Sequence, residues 1–135
     1  MVFVHGNEAT MCFLQIQGSL MYSQMEEKLV PPENAWISEM CLWMHWDYAG
    51  DLRCITFSKI YTLHADAFRE IISSAVPLQV QAHVYATEYV KALRGRAVLS
   101  DLWQHDEAGD GLTGRKVSGS TLTWVRMPFK TIVPM

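Results

Sequence analysis

The sequence predicts an α+β fold, mainly β: an antiparallel β-roll, a double-stranded jelly-roll-like barrel, followed by two or three C-terminal helices. Three observations predict it. Roughly the first sixty residues are short apolar runs cut by turn clusters. The apolar period then changes to three and four residues. Of 135 residues, 50% are apolar and 19% charged, which supplies one compact core.

Gly6-Asn7-Glu8, Gly18-Ser19, Pro31-Pro32-Glu33-Asn34 and Asp47 to Asp51 are the turn clusters, and between them lie Met11–Gln17, Ser19–Tyr22, Trp36–Trp43, Leu52–Phe57 and Lys59–Leu63. In Met11–Gln17 the alternation places Leu14 and Ile16 on one face and Gln15 and Gln17 on the other, a half-buried strand that Gly18 turns into a tight hairpin. Asp66 is positioned to cap a short helix with Phe68, Ile71, Ile72 and Ala75 on one side, and Pro77 closes it and opens the next. From Pro77 to Leu93, the residues Leu78, Ala82, Tyr85, Ala86, Tyr89 and Leu93 form one stripe, with Gly95 just past the end. Leu99 to Trp103 reads as one more helical turn. Gly109, Gly111, Gly114 and Gly119 mark a flexible stretch over 105–120, and Thr121 to Val125 alternates like a strand before Pro128 and Pro134.

The net charge is −3, and no basic cluster exceeds Arg94-Gly95-Arg96, which argues against nucleic acid as a partner. Apolar runs such as Met40 to Met44 and Ile132 to Met135 are far shorter than the ~20 residues of a spanning helix, so no direct membrane insertion is expected. The N-terminus has neither the basic region nor the cleavage site of a secretion signal. Cys12, Cys41 and Cys54 lie in apolar stretches without CxxC spacing and read as buried free thiols in a reducing compartment, which places the chain in the cytoplasm. A charged fraction below the ~25% of typical domains leaves apolar surface for a partner or another segment to cover. His5, His45, His64, His83 and His105 are scattered, without the paired spacing of a cupin-type metal enzyme, and no nucleophile elbow or phosphate-cradling Gly-rich loop is present. No catalytic residue, metal or cofactor is expected.

Trp36-Ile37-Ser38-Glu39-Met40-Cys41-Leu42-Trp43 resembles the phosphate-binding cassette of cyclic-nucleotide-binding domains, a Phe-Gly-Glu followed by a small apolar run in a short helical turn. Leu52 to Ile72 resembles that family's last two roll strands and the start of its helix B, and Gly6 with Met11 to Leu20 resembles its two-glycine segment. The resemblance covers roughly residues 2 to 95. It implies a domain over 1–95, with the roll in 1–64 and helices in 65–95, and a partly flexible extension over 96–135. The cassette is most similar to those of channel-type ion-transport proteins of protists. The resemblance then implies an N-terminally truncated domain, without the family's opening helix and first strands, belonging to a larger membrane channel and facing the cytoplasm. Such a start leaves the edge at Met1 to His5 open.

In that family a Glu accepts the ribose 2′-hydroxyl, backbone N–H groups hold the cyclic phosphate, and an Arg supplies the countercharge. By this resemblance the ligand, cAMP or cGMP, would meet Ser38 at the cassette Gly position, Glu39 at the Glu position, and Met40 and Cys41 after it. Cys41 stands where a small residue offers its backbone N–H, and Ala49 matches the small residue after the Arg. The Arg position itself falls on Tyr48, which removes a charge-assisted hydrogen bond of roughly 1.5–3 kcal/mol. Asp47 and Asp51 bracket the site and would repel a phosphate, while Arg53 comes late on a strand. Ser38 also lacks the freedom for positive φ that Gly would give.

Each of these residues has a plainer reading. Glu39 is either the ribose acceptor or a solvated carboxylate or turn cap. Tyr85 and Tyr89 either form a lid over a purine or pack their helix on the roll. Trp36, Trp43 and Trp46 read as roll core and rim, and His45 as an exposed loop residue. The function expected is a non-catalytic regulatory module in which a cyclic nucleotide, or an occupied pocket, moves the C-terminal helices. The alternative is a ligand-free structural or protein-docking module of the same fold.

Overall fold

The protein is described by a computed structural model over residues 1–102. The strands are β1 (Met11–Gln17), β2 (Leu20–Gln24), β3 (Glu27–Leu29), β4 (Trp36–Ile37), β5 (Asp51–Cys54) and β6 (Lys59–His64). The helices are α1 (Met40–Trp43), α2 (Ala65–Ser73) and α3 (Val76–Arg94). The fold is thus α+β and mainly β, an antiparallel roll followed by helices.

The strands form two three-stranded antiparallel sheets, ordered β4-β1-β6 and β3-β2-β5. β1 and β2 lie in different sheets, so Gly18 does not close the expected hairpin. It hands the chain from one sheet to the other. Gly18 has φ +90, and a Cβ there would stand 2.4 Å from the Phe57 carbonyl oxygen, so glycine is required at this corner. Burial along β1 does not follow the expected alternation, since Cys12 on the Leu14 and Ile16 face is buried and Gln17 on the other is exposed. Phe13 and Gln15 are buried, while Leu14 and Ile16 are half-buried. β1 is the central strand of its sheet, and the Gln15 amide donates to the Gly18 carbonyl at 2.8 Å, which lets a polar side chain enter the roll.

Both sheets share one core, with Phe13 and Ile37 from the first and Leu20, Tyr22 and Leu52 from the second. Phe3 packs on Phe13 and on Tyr22, with ring centroids 5.6 and 6.5 Å apart. On one side the N-terminal segment pairs antiparallel with β5 through Phe3 and Leu52. β3 is a short, exposed Glu-Lys-Leu strand with no apolar alternation to announce it.

α2 starts after His64 without a side-chain cap, and Asp66 lies in its first turn, where a carboxylate favours the positive helix end. Pro77 sits at the start of α3, where its missing N–H costs no hydrogen bond. The expected stripe packs inward: Ala82, Tyr89 and Leu93 are buried, and Tyr85 is half-buried against the core. The outer face carries Val76, Val80 and Val84, each more than half exposed. Beyond α3 the chain returns to the roll. Leu99 to Leu102 forms no helical turn; Leu102 bridges antiparallel to Ile37 instead. The Gly-rich stretch over 105–120 and the expected strand over 121–125 lie outside the described residues. Among those described, no helix is long and apolar enough to cross a membrane.

Candidate functional site

The cassette resemblance points to the turn between β4 and α1. Ser38 and Glu39 there are both buried polar residues, 0% and 2% exposed, and Met40 and Cys41 bury beside them. Ser38 adopts φ 60, the left-handed conformation a glycine would take freely, so the loss of Gly does not prevent that geometry. The strain is opposed by two hydrogen bonds to one residue. The Ser38 hydroxyl donates to Asp101 Oδ1 and the Ser38 amide to the Asp101 carbonyl, each at 2.8 Å.

Glu39 is not solvated, and although it stands at the N-cap position of α1 its side chain makes no cap bond. Its Oε1 accepts from the Trp43 indole at 3.1 Å and from the Tyr85 hydroxyl at 2.8 Å, which ties the cassette turn to α3. Its Oε2 is buried without a hydrogen-bond partner. Burial raises the carboxyl from 4.5 to about 7, and the bonds from Tyr85 and Trp43 oppose that rise. Burial also pushes the Tyr85 hydroxyl up, and the neighbouring Glu39 carboxylate adds to it.

Rings join the three helices around this carboxyl. Trp43 meets Phe68 of α2 edge-on at 5.3 Å and Tyr85 of α3 at 5.0 Å, and Tyr85 lies 5.9 Å from Tyr89. Tyr85 and Tyr89 therefore pack on the roll beside Glu39. Arg69 of α2 donates to the Cys41 carbonyl at 2.6 Å, a cation at the end of α1 that sequence spacing did not single out. It opposes the effect of burial, which lifts the Cys41 thiol to about 12. Cys12 is also buried and its thiol raised by desolvation, whereas Cys54 is exposed, contrary to the expectation of three buried thiols.

Tyr48, at the Arg position, lies in the roll core. Its ring stacks on Phe3 at 4.0 Å and 7°, and its hydroxyl donates to the Met11 carbonyl at 3.2 Å. Burial pushes that hydroxyl up to about 12. Trp46 is buried, Trp36 and Trp43 are half-buried, and His45 is exposed beside Glu8 and Asp47. Arg53 is exposed, and Asp51 accepts from the His5 amide at 2.8 Å.

The feature missed in the sequence is Asp101, which is fully buried. Its Oδ1 accepts from the Ser38 hydroxyl and the Trp46 indole, both at 2.8 Å. Its Oδ2 accepts from the Tyr22 hydroxyl and the Ala49 amide at 2.8 Å, and from the Gly50 amide at 3.0 Å. Gly50 is needed for this approach, because a Cβ there would come within 2.7 Å of the Tyr22 ring. Every bond from these donors spans more than fifty residues of sequence, so no local pattern announces the cluster. Among the described residues, no group of three His, Cys, Asp or Glu side chains gathers as a metal site.

No protein-family model and no curated protein matches the chain. Among solved structures, the fold is similar to the sensor domain of the transcriptional regulator DNR from Pseudomonas aeruginosa. The identity there is 18% and the TM-score 0.53, over 73% of this chain and 69% of that one. It is similar to DNR itself at 19% identity and a TM-score of 0.51, where it covers 69% of this chain and 44% of that chain. The EAL enzyme Bd1971 in its cAMP-bound form aligns at 17% identity and a TM-score of 0.46, over 69% of this chain and 27% of that one. The two likenesses to DNR show a shared fold, a roll with helices behind it, and at 18% and 19% identity they show the fold alone.

Proposed function

We propose that this chain is a non-catalytic regulatory module in which the cassette turn and α3 respond together. The observation that carries it is the buried Glu39, which accepts from Trp43 in α1 and Tyr85 in α3 through one oxygen. Any event that moves or neutralises that carboxyl changes how α3 sits on the roll, and ligand energy enters only through unequal affinity for the two arrangements. The similarity to a sensor domain supports a regulatory role. The cassette resemblance supplies the ligand class, cAMP or cGMP, with Ser38, Glu39, Met40, Cys41 and Ala49 around it and Tyr85 and Tyr89 as the α3 contacts. It also supplies the setting, the cytoplasmic side of a larger channel-type protein.

A second reading, a ligand-free docking module, is favoured by Tyr48. A phenol stacked on Phe3 fills the position at which the family places its phosphate-binding Arg. Thermal melts with millimolar cAMP, cGMP, AMP and GMP separate the two. An upward shift with one cyclic nucleotide alone, lost in Glu39→Gln, supports nucleotide sensing. A cooperative melt that none of the four moves supports the ligand-free module.

A further inference from the structure

Asp101 is held differently from any other residue of its segment. All five groups that donate to its carboxylate belong to the roll: Tyr22 on β2, Ser38 after β4, and Trp46, Ala49 and Gly50 in the connection from α1 to β5. They are fixed by the roll's own packing, and they are all neutral. Together they match two oxygens of one anion, the pattern that a carboxylate and a phosphoryl group share. The segment that brings Asp101 in has little apolar anchor of its own. Val98 is 62% and Leu99 44% exposed, and only Leu102 packs against the core. Among the described residues its remaining ties are the Ser38 amide to the Asp101 carbonyl, the Asp101 amide and the Ser100 hydroxyl to the Tyr22 oxygen at 3.3 and 3.5 Å, the Gln24 side-chain amide to the Leu99 carbonyl, and the bridge from Leu102 to Ile37. Docking of the segment therefore depends chiefly on filling the cradle.

We propose, building on the regulatory reading above, that residues 99–102 are a resident pseudo-ligand: the Asp101 carboxylate fills an anion-binding cradle of the roll, which takes a competing oxyanion, phosphoryl or carboxylate, when the segment lifts. Residues 95–98 connect α3 to the segment, so its release removes the tie that holds the chain beyond that helix to the roll. The cradle also includes Ser38 and Ala49 of the cassette, which makes its occupancy the state that the module reports.

The test is a thermal melt of the full chain, wild type and Asp101→Ala, with inorganic phosphate, acetate, cAMP or cGMP against sodium chloride of equal ionic strength. The expected result is a lower melting temperature in Asp101→Ala that is regained with at least one probe. Its apparent affinity should be at least tenfold tighter than in the wild type, where Asp101 competes. The response should vanish when Ser38→Ala is added. A cyclic nucleotide that outperforms phosphate identifies a nucleotide phosphodiester, equal responses identify a simple phosphate, and a response to acetate alone identifies a carboxylate. A cooperative Asp101→Ala melt that no probe shifts overturns the proposal.

If Asp101→Ala does not fold, hydrogen exchange of the wild-type Ser38 amide decides. Saturating probe should speed it at least tenfold by removing its bond to the Asp101 carbonyl, and unchanged exchange overturns the proposal. The link from Glu39 to α3 is read by other amides, so failure of the cradle and failure of the regulatory reading are separately visible.

Discussion

Two carboxyl groups are buried among the described residues, and they are solvated by the protein in opposite ways. Asp101 has five donors on two oxygens, all from the roll. Glu39 has two donors on one oxygen and none on the other, and its carboxyl is raised to about 7. Both lost their hydration on folding, so the number of replacement donors decides what each can do. The first is built to hold an anion in place. The second is poised between charged and neutral at physiological pH, on a bond that links the cassette turn to α3.

The largest expected effect comes from emptying the first site. Asp101→Ala leaves buried donors without their acceptor and should cost about 3–5 kcal/mol in urea unfolding of the full chain. A loss below about 1 kcal/mol would mean that water satisfies those donors equally well, and the contrast between the sites would collapse.

The second site sharpens the contrast through pH. Folding raises the Glu39 carboxyl from 4.5 to about 7, so the folded state binds the proton more tightly than the unfolded chain. The stability this contributes is fully present below pH 4.5 and is lost as pH rises through about 7, at most about 3 kcal/mol. Unfolding measured from pH 4.5 to 8 should show this decline in the wild type, and Glu39→Gln should flatten it. A decline of equal size in both proteins would assign it to other groups.

Tyr85→Phe removes one of the two donors to Glu39. It should cost about 1.5–3 kcal/mol at pH 8, where the carboxylate is charged, and about 1 kcal/mol at pH 5, where it is neutral. Equal losses at both pH values would show that the bond does not sense the charge. The smallest effect is at Ser38. Ser38→Ala keeps the φ 60 strain and loses the bond to Asp101, whereas Ser38→Gly loses the bond but relieves the strain. Gly should therefore be the more stable variant by about 1 kcal/mol in urea unfolding, and the reverse order would show that the left-handed turn is not strained.

The sequence made elements legible where a local pattern exists. β1 was read with its observed ends because its apolar run is bounded by turn residues, and the α3 stripe was read because burial there repeats at helical spacing. The alternation in β1 separates two faces but not their burial, because Cys12 is buried on one and Phe13 and Gln15 on the other, where the Gln15 amide donates to Gly18. The corner at Gly18 resembles a hairpin turn in sequence, and only pairing to distant strands shows that it joins two sheets. Ser38, Glu39, Tyr48 and Ala49 were singled out through the cassette string, whereas Asp101 was not. Its acid stands in a segment that reads as an ordinary turn of helix, and its donors are contributed by four distant stretches of chain.

Hydrogen exchange along α3 tests most directly whether Glu39 couples the cassette turn to that helix. The amides of residues 85–93 are to be compared between wild type and Glu39→Gln, at pH 6 and pH 8, after correction for intrinsic rates. Exchange in the wild type, corrected in this way, should quicken several-fold from pH 6 to pH 8 as Glu39 ionises, and Glu39→Gln should remove that change. Corrected exchange that is the same at both pH values in the wild type, with α1 alone responding to the substitution, would contradict that coupling.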